Sequence, residues 1–279
     1  MADLHLTSPA NPRLKALTAL RRRRVRDETG ATLVDGLEET TLAASAGARL
    51  RTLYYCPELF GPAGDEGLSA LRAQAEQAVR LGRAAFEKVA YREGPDGILA
   101  VVDAAGVDLH ELELPDRPLL LLAQGVEKPG NLGAMLRTAD GAGAHAVIAA
   151  DPVTDWGNPN LVRASKGTVF SVPVVAASTA EVLPWLAERG IAVVATTPDT
   201  TTDYADVDYT GPVAVAVGAE KVCLDAELLE AATHRVRIPM AGRADSLNVS
   251  ISAAVVAYEA VRQRRPHPAS RATGAPVSR

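Results

Sequence analysis

Three short stretches of this chain combine residues that could do chemistry. The first is Asn131-Leu132-Gly133-Ala134-Met135-Leu136-Arg137-Thr138. Leu132, Met135, Leu136 and Ala139 recur at i, i+3, i+4 and i+7, a spacing that predicts one buried helical stripe. Arg137 falls off that stripe, so a rigid helix would present a planar guanidinium beside the glycine-bearing stretch Gly130–Gly133. Such a cation suits an anionic or hydroxylic substrate. The plainer reading is a helix start capped by Asn131, with Arg137 on the surface.

The second stretch is the apolar run Val213–Val217 leading into Gly218-Ala219-Glu220-Lys221. Gly218 lets a ligand lie against the backbone, and Glu220 could hold a hydroxyl, an amine or a guanidinium; a tight turn with an exposed carboxylate is the bland alternative. The third couples Ile238-Pro239-Met240 to Ser246-Leu247-Asn248-Val249-Ser250. Ser246 or Asn248 could cap the terminal helix, whose period sets Ile251, Ala254, Val255 and Tyr258 as its apolar stripe.

The elements that must position these groups alternate regularly. Strands are expected near Leu119–Ala123, Ala146–Ala149, Ala192–Ala195, Val213–Val217 and Val236–Ile238. Helices are expected near Leu132–Gly141, Ala180–Arg189, Ala226–Ala232 and Val249–Arg264. Strands alternating with helices imply a parallel sheet covered on both faces, with ligands collecting at the carboxyl ends of its strands. Each of the three stretches follows such an end. Upstream, a helix over Pro12–Arg26, strands at Ala31–Val34, Leu50–Tyr55 and Gly97–Val102, and helices after Asp35-Gly36, over Leu68–Leu81 and over Ala84–Ala90 make a smaller α/β unit. The resulting division is 1–106 as an N-terminal domain, 107–117 as a linker, 118–265 as the principal domain and 266–279 as a disordered tail.

The 279 residues, 47% hydrophobic and 23% charged, describe a soluble globular protein with room for two domains. No apolar run approaches membrane length, and the first residues lack a signal-peptide core. Cys56 and Cys223 stand alone and outside metal-ligand spacing, so a reducing, cytoplasmic setting without a bound metal is expected. The net charge of −5 conceals an uneven distribution. Arg13, Lys15, Arg21, Arg22, Arg23, Arg24 and Arg26 stand against Asp3 alone in the first 26 residues. A basic patch on an acidic body suits contact with phosphates, while the alternative is a solvated face paired with Asp27, Glu28, Glu38 and Glu39. Arg163 and Lys166 are further candidates for such contact.

The three stretches together resemble the SpoU/TrmH family of RNA 2′-O-ribose methyltransferases, of the SPOUT superfamily. Asn131-Leu132-Gly133 through Arg137-Thr138 resembles the first family motif, and Gly218-Ala219-Glu220 the second, with Ala219 where the family usually has Asn. Ile238-Pro239-Met240 with Ser246–Ser250 resembles the third. The resemblance covers about residues 117–265; more weakly, residues 8–103 resemble the family's substrate-binding domain. It implies a SPOUT-type parallel sheet with a C-terminal trefoil knot, plus a small N-terminal α/β RNA-binding domain. It further implies a homodimer paired through the knots, and S-adenosylmethionine held by Thr196, Thr197, Gly218, Ile238, Met240 and Leu247. Arg137, Asn131, Glu220, Ser246 and Asn248 would serve catalysis, and Arg13, Lys15, Arg21, Arg22, Arg23 and Arg24 would grip RNA. The activity implied is methylation of a ribose 2′-hydroxyl, in ribosomal RNA ahead of transfer RNA. A dinucleotide-binding enzyme is disfavoured, because Gly141-Ala142-Gly143 follows a helix rather than a strand. A non-catalytic RNA-binding protein is the other alternative, and the retained Arg137, Glu220, Ser246 and Asn248 count against it.

Overall fold

A computed structural model describes residues 4–219 and 223–265. Glu220 and the tail 266–279 therefore lie outside the described residues. The N-terminal part runs β1 (Leu4–Leu6), α1 (Pro12–Ala19), α2 (Arg23–Thr29), β2 (Ala31–Asp35), α3 (Leu37–Ser45), β3 (Leu50–Tyr55), α4 (Gly64–Gln74), β4 (Ala78–Leu81), α5 (Arg83–Val89) and β5 (Ile98–Asp103). The C-terminal part runs β6 (Leu119–Gln124), α6 (Pro129–Ala142), β7 (Ala146–Ala150), α7 (Pro159–Ala164) and β8 (Val174–Ala177). It continues through α8 (Thr179–Glu188), β9 (Ala192–Thr196), β10 (Val213–Gly218), α9 (Ala226–Ala231), β11 (His234–Val236) and α10 (Val249–Arg264).

These strands form two sheets. The first, ordered β1-β4-β3-β5-β2, is mixed, because β5 runs antiparallel to both β2 and β3. The second, ordered β11-β9-β10-β6-β7-β8, is parallel throughout. Its central strand β6 is apolar at every position but the last because both faces are covered. Leu119, Leu121 and Ala123 face the cluster holding Leu132, Met135 and Leu136 of α6 and Ala253, Val256 and Ala257 of α10. Leu120 and Leu122 face Val182, Trp185 and Leu186 of α8 and Leu228 of α9. This alternation is the two-residue period of a strand. The first sheet joins the same core through Val34, Leu53, Ile98 and Ala100. Its other face is covered by Leu14 and Leu17 of α1 and Phe86 of α5.

Several expectations are corrected. The helix expected over 12–26 is two helices, α1 and α2, because the Arg26 guanidinium donates to the Leu20 and Arg21 carbonyls at 2.9 Å each and so holds a turn between them. The helix expected over 68–81 ends at Gln74, and Ala78–Leu81 enters the first sheet between β1 and β3. There the burial of Val79 and Leu81 outweighs any helical tendency of the segment. The segment 107–117, expected as a linker, packs against the second sheet's cover. Leu109 and Leu112 are buried in the α8 cluster, and the Val107 amide donates to the Val174 carbonyl at 2.9 Å.

The apolar stripe of α10 is the largest correction. Val249, Ala253, Val256, Ala257 and Ala260 are buried, whereas Ile251 is 50% and Tyr258 47% exposed. Small residues let α10 lie close to α6 and β10, and its larger apolar residues are left on the outer side. β8 and α7 were not foreseen, and the last strand falls at 234–236 instead of 236–238.

Candidate active site

In a sheet whose strands all run the same way, every carboxyl end opens on one edge, which is why loops distant in sequence meet there. The loops after β9, β10 and β11 enclose a cleft of about 150 Å³. It is lined by Thr196 at the end of β9 and Thr197 just after it, by Gly218 at the end of β10, and by Ile238, Met240, Ser246 and Leu247 between β11 and α10. The structure thus gathers all six residues expected to hold a cofactor, together with Ser246. Val217, Val236 and Val249 add apolar lining.

Local bonds fix this frame. The Thr196 hydroxyl donates to the Ala216 carbonyl at 2.9 Å, tying β9 to β10 at the cleft floor. The Thr197 amide donates to the Val236 carbonyl at 2.9 Å. A bridge between Asp203 and Arg237 closes the wall, with Arg237 Nε donating to Asp203 Oδ1 at 2.9 Å. Gly218 is required sterically, because a Cβ there would overlap the Cys223 carbonyl and the Leu224 nitrogen. Cys223 itself stands at φ +59°. Cys223, Arg237, Asp245 and Ser252 line the cleft unforeseen. Only Arg237 and Asp245 had a usable signal, as neighbours of the third motif.

Asn131 and Asn248, 117 positions apart, meet directly: Asn248 Nδ2 donates to Asn131 Oδ1 at 3.1 Å. Asn248 also caps α10, its Oδ1 accepting from the Ser250 amide at 2.9 Å and from the Ser250 hydroxyl at 2.6 Å. Both readings of Asn248, as a cap and as a site residue, therefore coexist geometrically. Asn131 is not a cap, since α6 starts three residues earlier at Lys128-Pro129. Leu132, Met135, Leu136 and Ala139 are buried as the period predicted, and Arg137 is exposed on the same helix. Arg137 is not among the residues lining the cleft. It lies six residues beyond Asn131, about 9 Å further along the axis.

The basic segment divides. Arg21 donates to the Val89 and Ala90 carbonyls at 3.0 and 2.9 Å and lies over the Tyr91 ring. Arg23 donates to the Val153 carbonyl at 3.0 Å, and Arg24 pairs with Glu28 at 2.8 Å. Arg13, Lys15 and Arg22 are exposed. Lys166 reaches Glu38 at 3.9 Å, and Arg163 is exposed at the end of α7.

A fully parallel sheet, with a cleft at its carboxyl edge and a surface cation on the neighbouring helix, defines an α/β protein built to hold a small ligand beside a second, anionic or hydroxylic one. Comparison with known proteins makes this specific. Residues 118–258 match the SpoU rRNA Methylase family, and residues 11–100 match the MRM3-like substrate binding domain. The chain is 34% identical over 262 residues to the 23S rRNA (uridine(2479)-2′-O)-methyltransferase of Streptomyces viridochromogenes, spanning 90% of this chain and 88% of that protein. The crystal structure of an RNA 2′-O ribose methyltransferase superposes with a TM-score of 0.83 at 42% identity, covering 94% of this chain and 99% of that one. An AdoMet-bound rRNA methyltransferase from Sinorhizobium meliloti gives 0.86 at 31% identity, covering 94% and 98%. This chain belongs to the SpoU rRNA methylase family.

Proposed function

We propose that this protein transfers a methyl group from S-adenosylmethionine to a ribose 2′-hydroxyl of ribosomal RNA. The observation that carries the reading is the single cleft formed by Thr196, Thr197, Gly218, Ile238, Met240 and Leu247. Its donor set suits an adenosyl ligand. Valine and leucine side chains can flank a flat base, while the hydroxyls and turning backbone of the three loops can bind ribose and amino-acid ends. When bound, S-adenosylmethionine supplies a methyl group already activated on sulfonium.

The tasks left to the chain are alignment, charge stabilisation and exclusion of water. Asn131 and Asn248 hold each other and position the target ribose, with Ser246 at the cleft rim. Arg137 would stabilise the ribose oxygen as it takes the methyl group, the methyl–sulfur bond breaking to leave a neutral thioether and the hydroxyl proton passing to solvent; a guanidinium is too weakly acidic to serve readily as the base. Glu220 is assigned to orienting Arg137 or the donor's amino end. Arg13, Lys15 and Arg22 grip RNA phosphates, with Arg21, Arg23 and Arg24 contributing less because they are engaged within the chain.

Pairing of two copies belongs to the same proposal. Ile251 and Tyr258 expose large apolar surface beside α6, the helix that carries Arg137, and Arg137 does not line the cleft of its own chain. A second copy docked on this face would complete the site. Tyr258→Asp should give a monomer by light scattering that retains donor binding and loses methyl transfer; a dimeric, fully active variant removes this part of the proposal. A trefoil knot is proposed for the region of β9 to α10. It is supported by the order β11-β9-β10 and by Arg264, which donates to the carbonyls of Tyr209, Arg117, Pro118 and Gly211 and so fastens the end of α10 to two loops, those before β6 and β10. The deciding assay supplies tritium-labelled donor with ribosomal RNA or transfer RNA and maps the 2′-O-methyl sites. Label in a defined ribosomal ribose is expected, and label in transfer RNA alone, or in neither RNA, overturns the reading.

A further inference from the structure

Arg26 was counted with the basic patch, but it does not face solvent. It is 3% exposed, and its guanidinium is engaged on all three nitrogens. Nε donates to Asp155 Oδ1 at 2.8 Å and Nη2 to Asp155 Oδ2 at 2.5 Å, a two-pronged pairing, while Nη1 takes the Leu20 and Arg21 carbonyls. A buried pair of this kind is a weak source of net stability, because desolvation offsets much of its attraction; fixing one arrangement is a better-attested use.

What it fixes can be followed residue by residue. On one side Arg26 sets the turn between α1, which carries Arg13 and Lys15, and α2, which Arg22 immediately precedes. On the other, Asp155 belongs to the loop after β7, which is fastened again by the Thr32 hydroxyl donating to the Gly157 carbonyl and by Arg23 donating to Val153. That loop ends in Asn158, whose side chain accepts from the Asn160 amide at 3.0 Å and so starts α7. The end of α7 lies against α6 at Gly133, where a Cβ would come within 2.6 Å of the Ala164 Cβ and 2.8 Å of the Ser165 nitrogen. Arg137 is one turn further along the same helix. From the basic surface to the catalytic helix, each step is a buried or directly bonded contact.

We propose that the Arg26–Asp155 pair is a positioning element that sets the register between the RNA-gripping helices and the methyl-transfer site, and thereby the nucleotide that is presented. This inference rests on the function proposed above. Loosening the pair leaves both half-sites in place and spoils their alignment, and a displacement near 1 Å can cost about 100-fold in rate. Arg26→Lys keeps the charge and loses the fork. Arg26→Met with Asp155→Leu removes both charges and keeps the interior apolar, so at least one folded variant is available for the comparison.

The experiment measures, for the wild type and each folded variant, the Kd for donor, the Kd for a ribosomal RNA fragment, kcat, and the position of the methylated ribose. The expected result is a fall in kcat of about 10- to 100-fold, or methylation spread to neighbouring riboses, with both Kd values unchanged. A contribution to stability alone would lower the melting temperature and leave kcat per folded molecule and the methylated position as in the wild type. That outcome overturns the inference. If the wild type itself transfers no methyl to ribosomal RNA, the proposed function fails, and this inference fails with it.

Discussion

The two sheets solve different problems with similar materials. In the parallel sheet, β6, β7, β9 and β10 are apolar through their interiors, and the polar residues that line the cleft crowd one edge. Thr196, Gly218 and the loop after Val236 lie at the ends of three adjacent strands. In the mixed sheet β5 alone runs against its neighbours, so its carboxyl end opens on the edge opposite to that of the other four strands. The basic residues assigned to RNA lie outside it, on α1 and in the turn into α2. The comparison assigns bond-making to the parallel sheet and gripping to the mixed one, and variants in the two regions should separate along that line.

The largest separation is expected at Arg137. Arg137→Lys should lower kcat for methyl transfer by about 100- to 1000-fold, the usual cost of one misplaced charge stabiliser, with Kd for donor and RNA unchanged. Single-turnover transfer with saturating donor measures it. Wild-type kcat in this variant would leave the parallel sheet with only the donor cleft, and the division of labour would lose its chemical half.

A smaller effect is expected where the chemical helix packs. Gly133→Ala puts a Cβ into the backbone of Ala164 and Ser165, neither of which is the far end of a flexible side chain. Overpacking of this kind costs about 1–3 kcal/mol, read as a drop of about 2–4 °C in Tm per kcal/mol for a chain of this length. A Tm equal to the wild type would mean that α6 and α7 yield easily, which also weakens the positioning role of Arg26. Smaller still is the effect on the gripping side. Replacing Arg13, Lys15 and Arg22 by Gln should reduce the salt slope of RNA binding by about one unit per lost phosphate contact, without changing donor affinity. Arg21→Gln should change it less, because that side chain is held by Val89, Ala90 and Tyr91. Equal slopes for Arg21 and Arg22 variants would erase the distinction drawn from the structure.

The same contrast explains what was legible in the sequence. The parallel sheet could be read because each of its central strands is a continuous apolar run, and because the stripe Leu132, Met135, Leu136 and Ala139 has a single interpretation. The residues of the cleft followed from the family resemblance, and the structure brings them to one place. The mixed sheet was harder. No glycine or proline separates Gln74 from Ala78, so β4 was absorbed into the preceding helix, although its burial depends on partners far away in sequence. The terminal helix α10 has two apolar faces, and periodicity cannot tell which one meets its own chain. The Arg26 turn was illegible for a related reason: among six other basic residues, nothing local marks the one whose partner lies at Asp155.

The smallest predicted effect belongs to Asp35, at the end of β2 in the mixed sheet. Its carboxyl is buried, and burial raises its pKa above the ordinary 3.8, although the Tyr91 and Arg92 amides and the Arg92 guanidinium pull the other way. The folded protein therefore holds this proton more tightly than the unfolded chain does. Between 3.8 and the raised value the native state binds more protons, so this group's contribution to stability falls as pH rises through that window and stays low above it. Asp35→Asn removes the titration while keeping an oxygen able to accept from the two amides. Denaturant unfolding of both proteins across pH 4–7 should show the wild type losing ground to the variant as pH rises, with the difference levelling off above the raised pKa. A difference independent of pH would mean that the Arg92 guanidinium compensates the buried charge fully. The mixed sheet would then tolerate a buried carboxylate as readily as the parallel sheet tolerates Gln124, the buried polar residue that ends β6 with its amide shared between Thr179 and Asp225.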